Sequence, residues 1–193
     1  MKKLILYNGP NSPFGRKTKI TALVHKIPFE EKVIKVYDSE FLDKFNPLRK
    51  IPTLVIDNKE TLIASDNICL YFDDISNRKT LYNKKIYWQI MTIISVANGL
   101  MEAVLERRME LIRPSNEQSE SFVKKQEIRV FRTINWLEKN WNNFEKNISM
   151  DQISIAVALE YTKYRFTDSW SNDCAKLNDC LLYTSDAADE HTG

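Results

Sequence analysis

Residues 50–75 read KIPTLVIDNKETLIASDNICLYFDDI, and this stretch decides the fold. Thr53, Leu54, Val55 and Ile56 are an apolar, strand-favouring run, Asp57-Asn58 a turn, and Thr61, Leu62 and Ile63 the hairpin partner. Ile68, Tyr71, Phe72 and Ile75 then recur at i, i+3, i+4 and i+7, the stripe of an amphipathic helix. Ser65 stands immediately before that helix, where it reads as an N-cap.

Upstream, Leu4 to Tyr7 reads as a strand ended by Asn8-Gly9-Pro10-Asn11. Ser12-Pro13 starts a helix whose apolar positions are Ile20, Leu23/Val24 and Ile27. Lys32 to Tyr37 alternates in polarity and reads as a second strand, and Phe41 to Phe45 as a short helix. The order β-α-β-α-β-β-α fills residues 1–76.

Downstream, Ser76 to Thr80 is polar and aperiodic, and residues 77–84 read as a linker. Strand signals then stop. Ile86 to Ile112 carries two apolar stripes, Ile86/Ile90/Ile93/Ala97 and Tyr87/Met91/Ile94/Met101/Leu105, so this long helix has two faces to bury. A second long helix carries Val130, Ile134, Leu137, Trp141 and Phe144. Ile153 to Leu159 is apolar almost all round and reads as the central helix of a bundle, started by a Ser149/Gln152 capping box. A mixed sheet domain followed by helices is an α+β arrangement in two units, the helical one spanning 85–179.

The chain has 193 residues, 43% hydrophobic and 28% charged, with net charge +2. That charge argues against nucleic acid or an anionic membrane surface as partner. No uninterrupted apolar run is longer than Ile155 to Leu159, which leads to the expectation that no segment spans a bilayer. Cys69, Cys174 and Cys180 lack C-x-x-C spacing and lie far from His25 and His191, so no metal site or dithiol motif is expected. The chain reads as cytoplasmic.

Taken singly, the polar features of the first unit have structural explanations. Ser12 is an N-cap, but its hydroxyl beside a helix N-terminus also suits donation to a bound thiolate. Ile51-Pro52 reads either as a plain extended X-Pro step or as a cis bond that turns the Ile51 backbone outward, ready to pair with an extended peptide. Ser65 at a helix start suits a carboxylate, and Lys50 adds a positive charge. Together these make three sites for a short acidic thiol peptide, and glutathione has that pattern.

Three blocks, Ser12-Pro13-Phe14-Gly15-Arg16-Lys17, Asn46 through Leu54, and Ser65-x-x-Ile68-x-x-Tyr71-Phe72, resemble the N-terminal signature of the soluble glutathione transferases. The nearest flavours are serine-type bacterial proteins and the plant tau class, which share Ser-Pro-Phe. Ser149-x-x-Gln152-Ile153 and Trp170 with Leu177 resemble the capping motif and closing helix of the second domain, and Asn98 to Glu102 with Arg113-Pro114 resembles bacterial members. The resemblance implies a thioredoxin-like glutathione-binding domain at 1–76, with Ser12 bonding the glutathione sulfur. It further implies Ile51 as the backbone partner of the cysteinyl moiety beside a cis Pro52, Lys50 on the glycyl carboxylate and Ser65 on the γ-glutamyl carboxylate. Also implied are glutathione as cosubstrate, no metal, homodimers, and a role in detoxification. The electrophile would be small and hydrophobic, in a pocket bounded by helices of residues 86–112 and 150–179.

Three departures stand out. Ala64 replaces the acid the family usually has before Ser65, with Asp66 adjacent but expected to point elsewhere; Gln152 replaces the capping Asp; and the closing C-terminal helix is expected to be missing. The implied activity is conjugation of the glutathione thiolate. The alternative is a non-catalytic glutathione-binding or protein-interaction member, which Ala64 favours. A thiol-disulfide reductase is disfavoured by the lack of cysteine at residues 9–15. Finally, Cys180 to Glu190 resembles the one-frame translation of a sequencing-library adaptor, so residues 180–193 are expected to be adaptor-derived and the helical domain incomplete.

Overall fold

A computed structural model describes residues 2–142, 148–166 and 174–179. Phe144, Trp170 and the 180–193 tail lie outside these. The chain divides into two compact units, Met1–Leu81 and Tyr82–Gly193, with the division inside the 77–84 stretch.

The first unit contains β1 (Leu4–Asn8), α1 (Pro13–Val24), β2 (Glu30–Val33), β3 (Thr53–Ile56), β4 (Glu60–Ile63) and α2 (Ser65–Asp74). The sheet order is β2-β1-β3-β4, with β1 parallel to β2 and antiparallel to β3, and β3 antiparallel to β4. β1 is buried along its whole length because it serves two cores. Leu4 and Leu6 join Leu54, Ile56, Ala22, Ile68 and Phe72 on one face, while Ile5 and Tyr7 join Val55 and Leu42 on the other. This is the period-2 alternation of a strand with both faces covered. Asp57 and Asn58, both at positive φ (52° and 57°), close the β3–β4 hairpin as a primed turn requires.

Two sequence expectations are corrected here. The second strand is Glu30–Val33 rather than 32–37, because its parallel pairing runs out with β1: Val33 pairs with Asn8, and the last bond is Ile34 N–H to Asn8 O at 2.8 Å. The chain then forms 3-10 helices at Val36–Asp38 and Glu40–Lys44, the second being the short helix expected at 41–45. The inward face of α1 is not the Ile20/Leu23/Val24 stripe. Pro13, Gly15, Lys17, Thr18, Thr21 and Ala22 are buried, whereas Leu23 is 47% exposed. Close packing against α2 selects small and polar side chains there.

The second unit is helical, with α3 (Tyr87–Leu111) packed on both α4 (Glu120–Asn140) and α5 (Met150–Arg165). α3 is long and apolar enough by composition to cross a membrane, contrary to the expectation from uninterrupted runs. Eight of its residues are buried, from Ile90 to Val104, as in the core helix of a bundle. The second apolar stripe is only partly inward: Ile94 and Met101 are buried, while Leu105 is 37% exposed. α5 is buried from Met150 to Leu159, as its composition predicts. The Ser149/Gln152 capping box forms, the Ser149 N–H donating to Gln152 Oε1 at 2.8 Å. Trp141 caps α4 instead of extending it, and its buried indole N–H donates to Asp151 Oδ2 at 2.9 Å. Leu177 is fully buried, and its N–H donates to Glu138.

Candidate functional site

Strand register alone brings the candidate residues of the first unit to one edge of the sheet. Tyr7 pairs with Thr53, and Thr53 pairs with Ile63. The segment leaving β1 toward Ser12, the Ile51-Pro52 step preceding β3 and the Ala64-Ser65 step following β4 therefore lie at the same end. The helices agree. Lys17 Nζ pairs with the Asp66 carboxylate, Thr21 Oγ1 donates to Cys69 Sγ at 3.3 Å, and His25 Nε2 lies 3.0 Å from Asp73 Oδ1. Partners that rise together along both chains make α1 and α2 parallel, so their N-termini share an end as well.

Ser12 occupies the N-cap of α1, half-buried, and its Oγ accepts from the Gly15 N–H at 3.1 Å. A hydroxyl that accepts from the helix still has its own proton to donate. Pro13 at the first helical position completes the start signal. Asn8 fixes the loop behind it. Its Oδ1 accepts from the Gly9 N–H at 2.8 Å and its Nδ2 donates to Glu31 Oε1 at 3.0 Å. The Asn8 carboxamide passes so close to α1 that a Cβ on Gly15 would fall 1.5 Å from Asn8 Oδ1. A Cβ on Gly9 would lie 2.5 Å from Ile51 Cδ1 and 3.9 Å from Ser12 Cβ, so Ile51 and Ser12 flank the same point of the loop.

The Ile51-Pro52 bond is cis. Ile51 is half-buried and Pro52 buried, with the sheet ladder beginning at Thr53. Among the described residues, no hydrogen bond engages the Ile51 backbone. The turn before it is held by Asn46, whose Nδ2 donates to Lys50 O and to Thr53 Oγ1, both at 2.9 Å. Lys50 is exposed, and its ammonium has no ion pair among the described residues.

Ser65 is the first residue of α2 rather than its cap. The cap position belongs to Ala64, at φ 67° and ψ 130°, whose methyl offers no acceptor. The chain must turn sharply from β4 into α2, and this backbone conformation makes the turn. Ser65 is 7% exposed, and its hydroxyl has no partner among the described residues. The first intrahelical bond runs from the Ile68 N–H to Ala64 O at 3.2 Å. Among the described residues the Ser65 and Asn67 N–H groups of this first turn have no acceptor, an arrangement suited to a carboxylate.

Sequence reading missed the roles of Asn8, Gly15 and Lys17. Asn8 and Gly15 carry only ordinary turn and helix signals, and a lysine in a helix normally reads as solvated. Cys69 is not a nucleophile, since burial pushes its thiol up to about 11. Glu31, near the loop, is pushed up by partial burial, but hydrogen bonds from Lys19 and Asn8 outweigh this and hold it below the ordinary carboxylate value.

Residues 6–80 match the family described as the glutathione S-transferase N-terminal domain. The chain is 28% identical over 160 residues to the uncharacterized GST-like protein YibF of Escherichia coli K12, covering 80% of this chain and 79% of that one. A glutathione-bound glutathione transferase family member from Pseudomonas fluorescens Pf-5 superposes with a TM-score of 0.87 at 26% identity, over 95% of this chain and 94% of that one. A glutathione S-transferase from Methylobacillus flagellatus KT, with glutathione bound, superposes with a TM-score of 0.90 at 22% identity over 98% of each chain. The described residues thus have the fold of these glutathione transferases, and residues 6–80 are similar to a glutathione S-transferase N-terminal domain.

Proposed function

We propose that this protein is a bacterial, cytoplasmic glutathione transferase that conjugates the glutathione thiolate to a small hydrophobic electrophile, as in detoxification. The observation that carries the reading is the convergence at one sheet edge of the Ser12 hydroxyl, the unengaged Ile51 backbone and the uncapped start of α2. Glutathione has a thiol, a peptide backbone and two carboxylates to meet them. The Ser12 hydroxyl and the positive end of α1 stabilise the bound thiolate. The Ile51 backbone beside Pro52 pairs with the cysteinyl unit, Lys50 meets the glycyl carboxylate, and Ser65 with the α2 N–H groups takes the γ-glutamyl carboxylate. The thiolate then attacks an electrophilic carbon, a C–S bond forms, and the leaving group departs with the electron pair of its broken bond. Trp88 (79% exposed) and Leu105 on α3 would meet a second copy in a homodimer.

Ala64 favours a second reading, a glutathione-binding protein without transfer activity, because no acid at that position meets the γ-glutamyl ammonium. Retention on immobilised glutathione followed by turnover of an aryl halide tests both. Retention with turnover is expected. Retention without turnover selects the second reading, and failure to bind glutathione rejects both.

A further inference from the structure

Lys17 is fully buried, an expensive place for an ammonium group unless it is paired. Its partner is Asp66, the second residue of α2, whose side chain is 34% exposed. Ala64 cannot cap that helix, and the Ser65 and Asn67 N–H groups of its first turn have no partner among the described residues. Asp66 sits within this turn, where the helix dipole attracts its carboxylate. Turned back on the open N–H groups, it would fill the anion site with the protein's own charge. The pairing with Lys17 draws it toward α1 instead and cancels that charge.

We propose that Lys17 is a positioning residue: by holding the Asp66 carboxylate against α1, it keeps the N-terminus of α2 and the Ser65 hydroxyl open to the γ-glutamyl carboxylate of glutathione. This rests on the glutathione-binding reading of the site. It has a consequence that a simple packing brace lacks: losing Lys17 alone is worse than losing the pair, because the harm comes from the released carboxylate.

The test compares Lys17→Met with Lys17→Met/Asp66→Asn by calorimetric titration with glutathione. The single variant should bind roughly 10-fold more weakly, about 1.4 kcal/mol, with KM for glutathione raised and kcat at saturation little changed. The double variant should return to within about 3-fold of wild type, as repulsion between like charges disappears. A double variant no better than the single overturns the proposal. If Lys17→Met does not fold, the double variant, which has no unpaired charge, decides alone: tenfold weaker binding in it overturns the inference. If the wild-type chain does not bind glutathione, the reading of the site fails separately. The inference is then decided by the amide proton shifts of Ser65 and Asn67 in the free protein. Lys17→Met should move them downfield as the carboxylate caps them, and unchanged shifts overturn it.

Discussion

On the proposed function, Ser12 performs two tasks that substitution can separate. Its oxygen accepts from the Gly15 N–H at 3.1 Å, which caps α1, and its proton is available to a bound thiolate. Ser12→Ala removes both. Loss of the cap should cost about 1 kcal/mol, which lowers Tm by roughly 4–8 °C in a unit of this size. Loss of a hydrogen bond to a charged group, worth about 1.5–3 kcal/mol, should raise the pKa of the bound thiol by about one to two units at 1.36 kcal/mol each. Ser12→Asp restores an acceptor for the cap, so stability should return to about the wild-type value. It offers no proton when ionised and places a negative charge beside the sulfur, so the thiol should be at least as hard to ionise as in Ser12→Ala. The reactive form is the thiolate, so the rate rises with pH through the thiol pKa. The wild-type midpoint should lie below the ordinary value of about 8.5 for a free thiol, and both variants should shift it upward. At neutral pH the variants turn over ~10-fold or more slowly, and the deficit closes as pH rises. Thermal unfolding and pH–rate profiles with an aryl halide measure the two effects separately. A Ser12→Asp variant with the wild-type pH midpoint would refute the assigned role of the hydroxyl, whatever its stability.

Gly15→Ala should destabilise the first unit by about 2 kcal/mol or more. The new methyl would fall on Asn8 Oδ1 and expel a side chain that holds both the Gly9 N–H and Glu31. An unchanged urea midpoint would show that Asn8 is not fixed as described. Asp73 bears on acid stability: burial pushes its carboxyl up, but hydrogen bonds from His25, Thr80 and the Leu81 N–H outweigh this and leave it below the ordinary value. A depressed folded-state pKa gives stability that is present above about pH 4 and lost as pH falls further. Asp73→Asn should therefore be less stable at pH 7 and lose less on acidification. Urea midpoints that fall in parallel below pH 4 for both proteins would reject this.

The sheet, the hairpin and the central helix of the second unit were legible because they rest on local periodicity. Thr53 to Ile56 is too short and too branched for a helix, and Ile153 to Leu159 is too uniformly apolar for a surface one. The end of β2 was not legible, since it is set by where its partner β1 stops, a fact that the alternation of residues 32–37 does not contain. The buried face of α1 failed for a related reason. Its partner is α2, which approaches closely and meets it through Lys17–Asp66, Thr21–Cys69 and His25–Asp73, so the inward residues are polar and the apolar stripe misleads. The candidate site was largely legible because each of its parts marks a boundary: a Ser-Pro helix start, a proline before a strand, a serine at the next helix. Boundaries are encoded by residue type at single positions, whereas helix faces depend on what packs against them.

The same distinction explains how Asp66 and Ala64 differ in what sequence reveals. The missing acid at 64 is visible in the chain itself, as is an aspartate two residues later. That the second does not replace the first is expected from its place in the chain, and the structure supplies the reason. Ala64 lies outside the helix at positive φ and is exposed, whereas Asp66 lies within the first turn and faces α1. A carboxylate at 64 would stand beside the open N–H groups, where a ligand's ammonium and carboxylate could both be met. At 66 it would compete with the ligand carboxylate unless another charge held it. The buried Lys17 supplies that charge, so the electrostatics at the start of α2 depend on a residue five positions beyond Ser12 on a different helix.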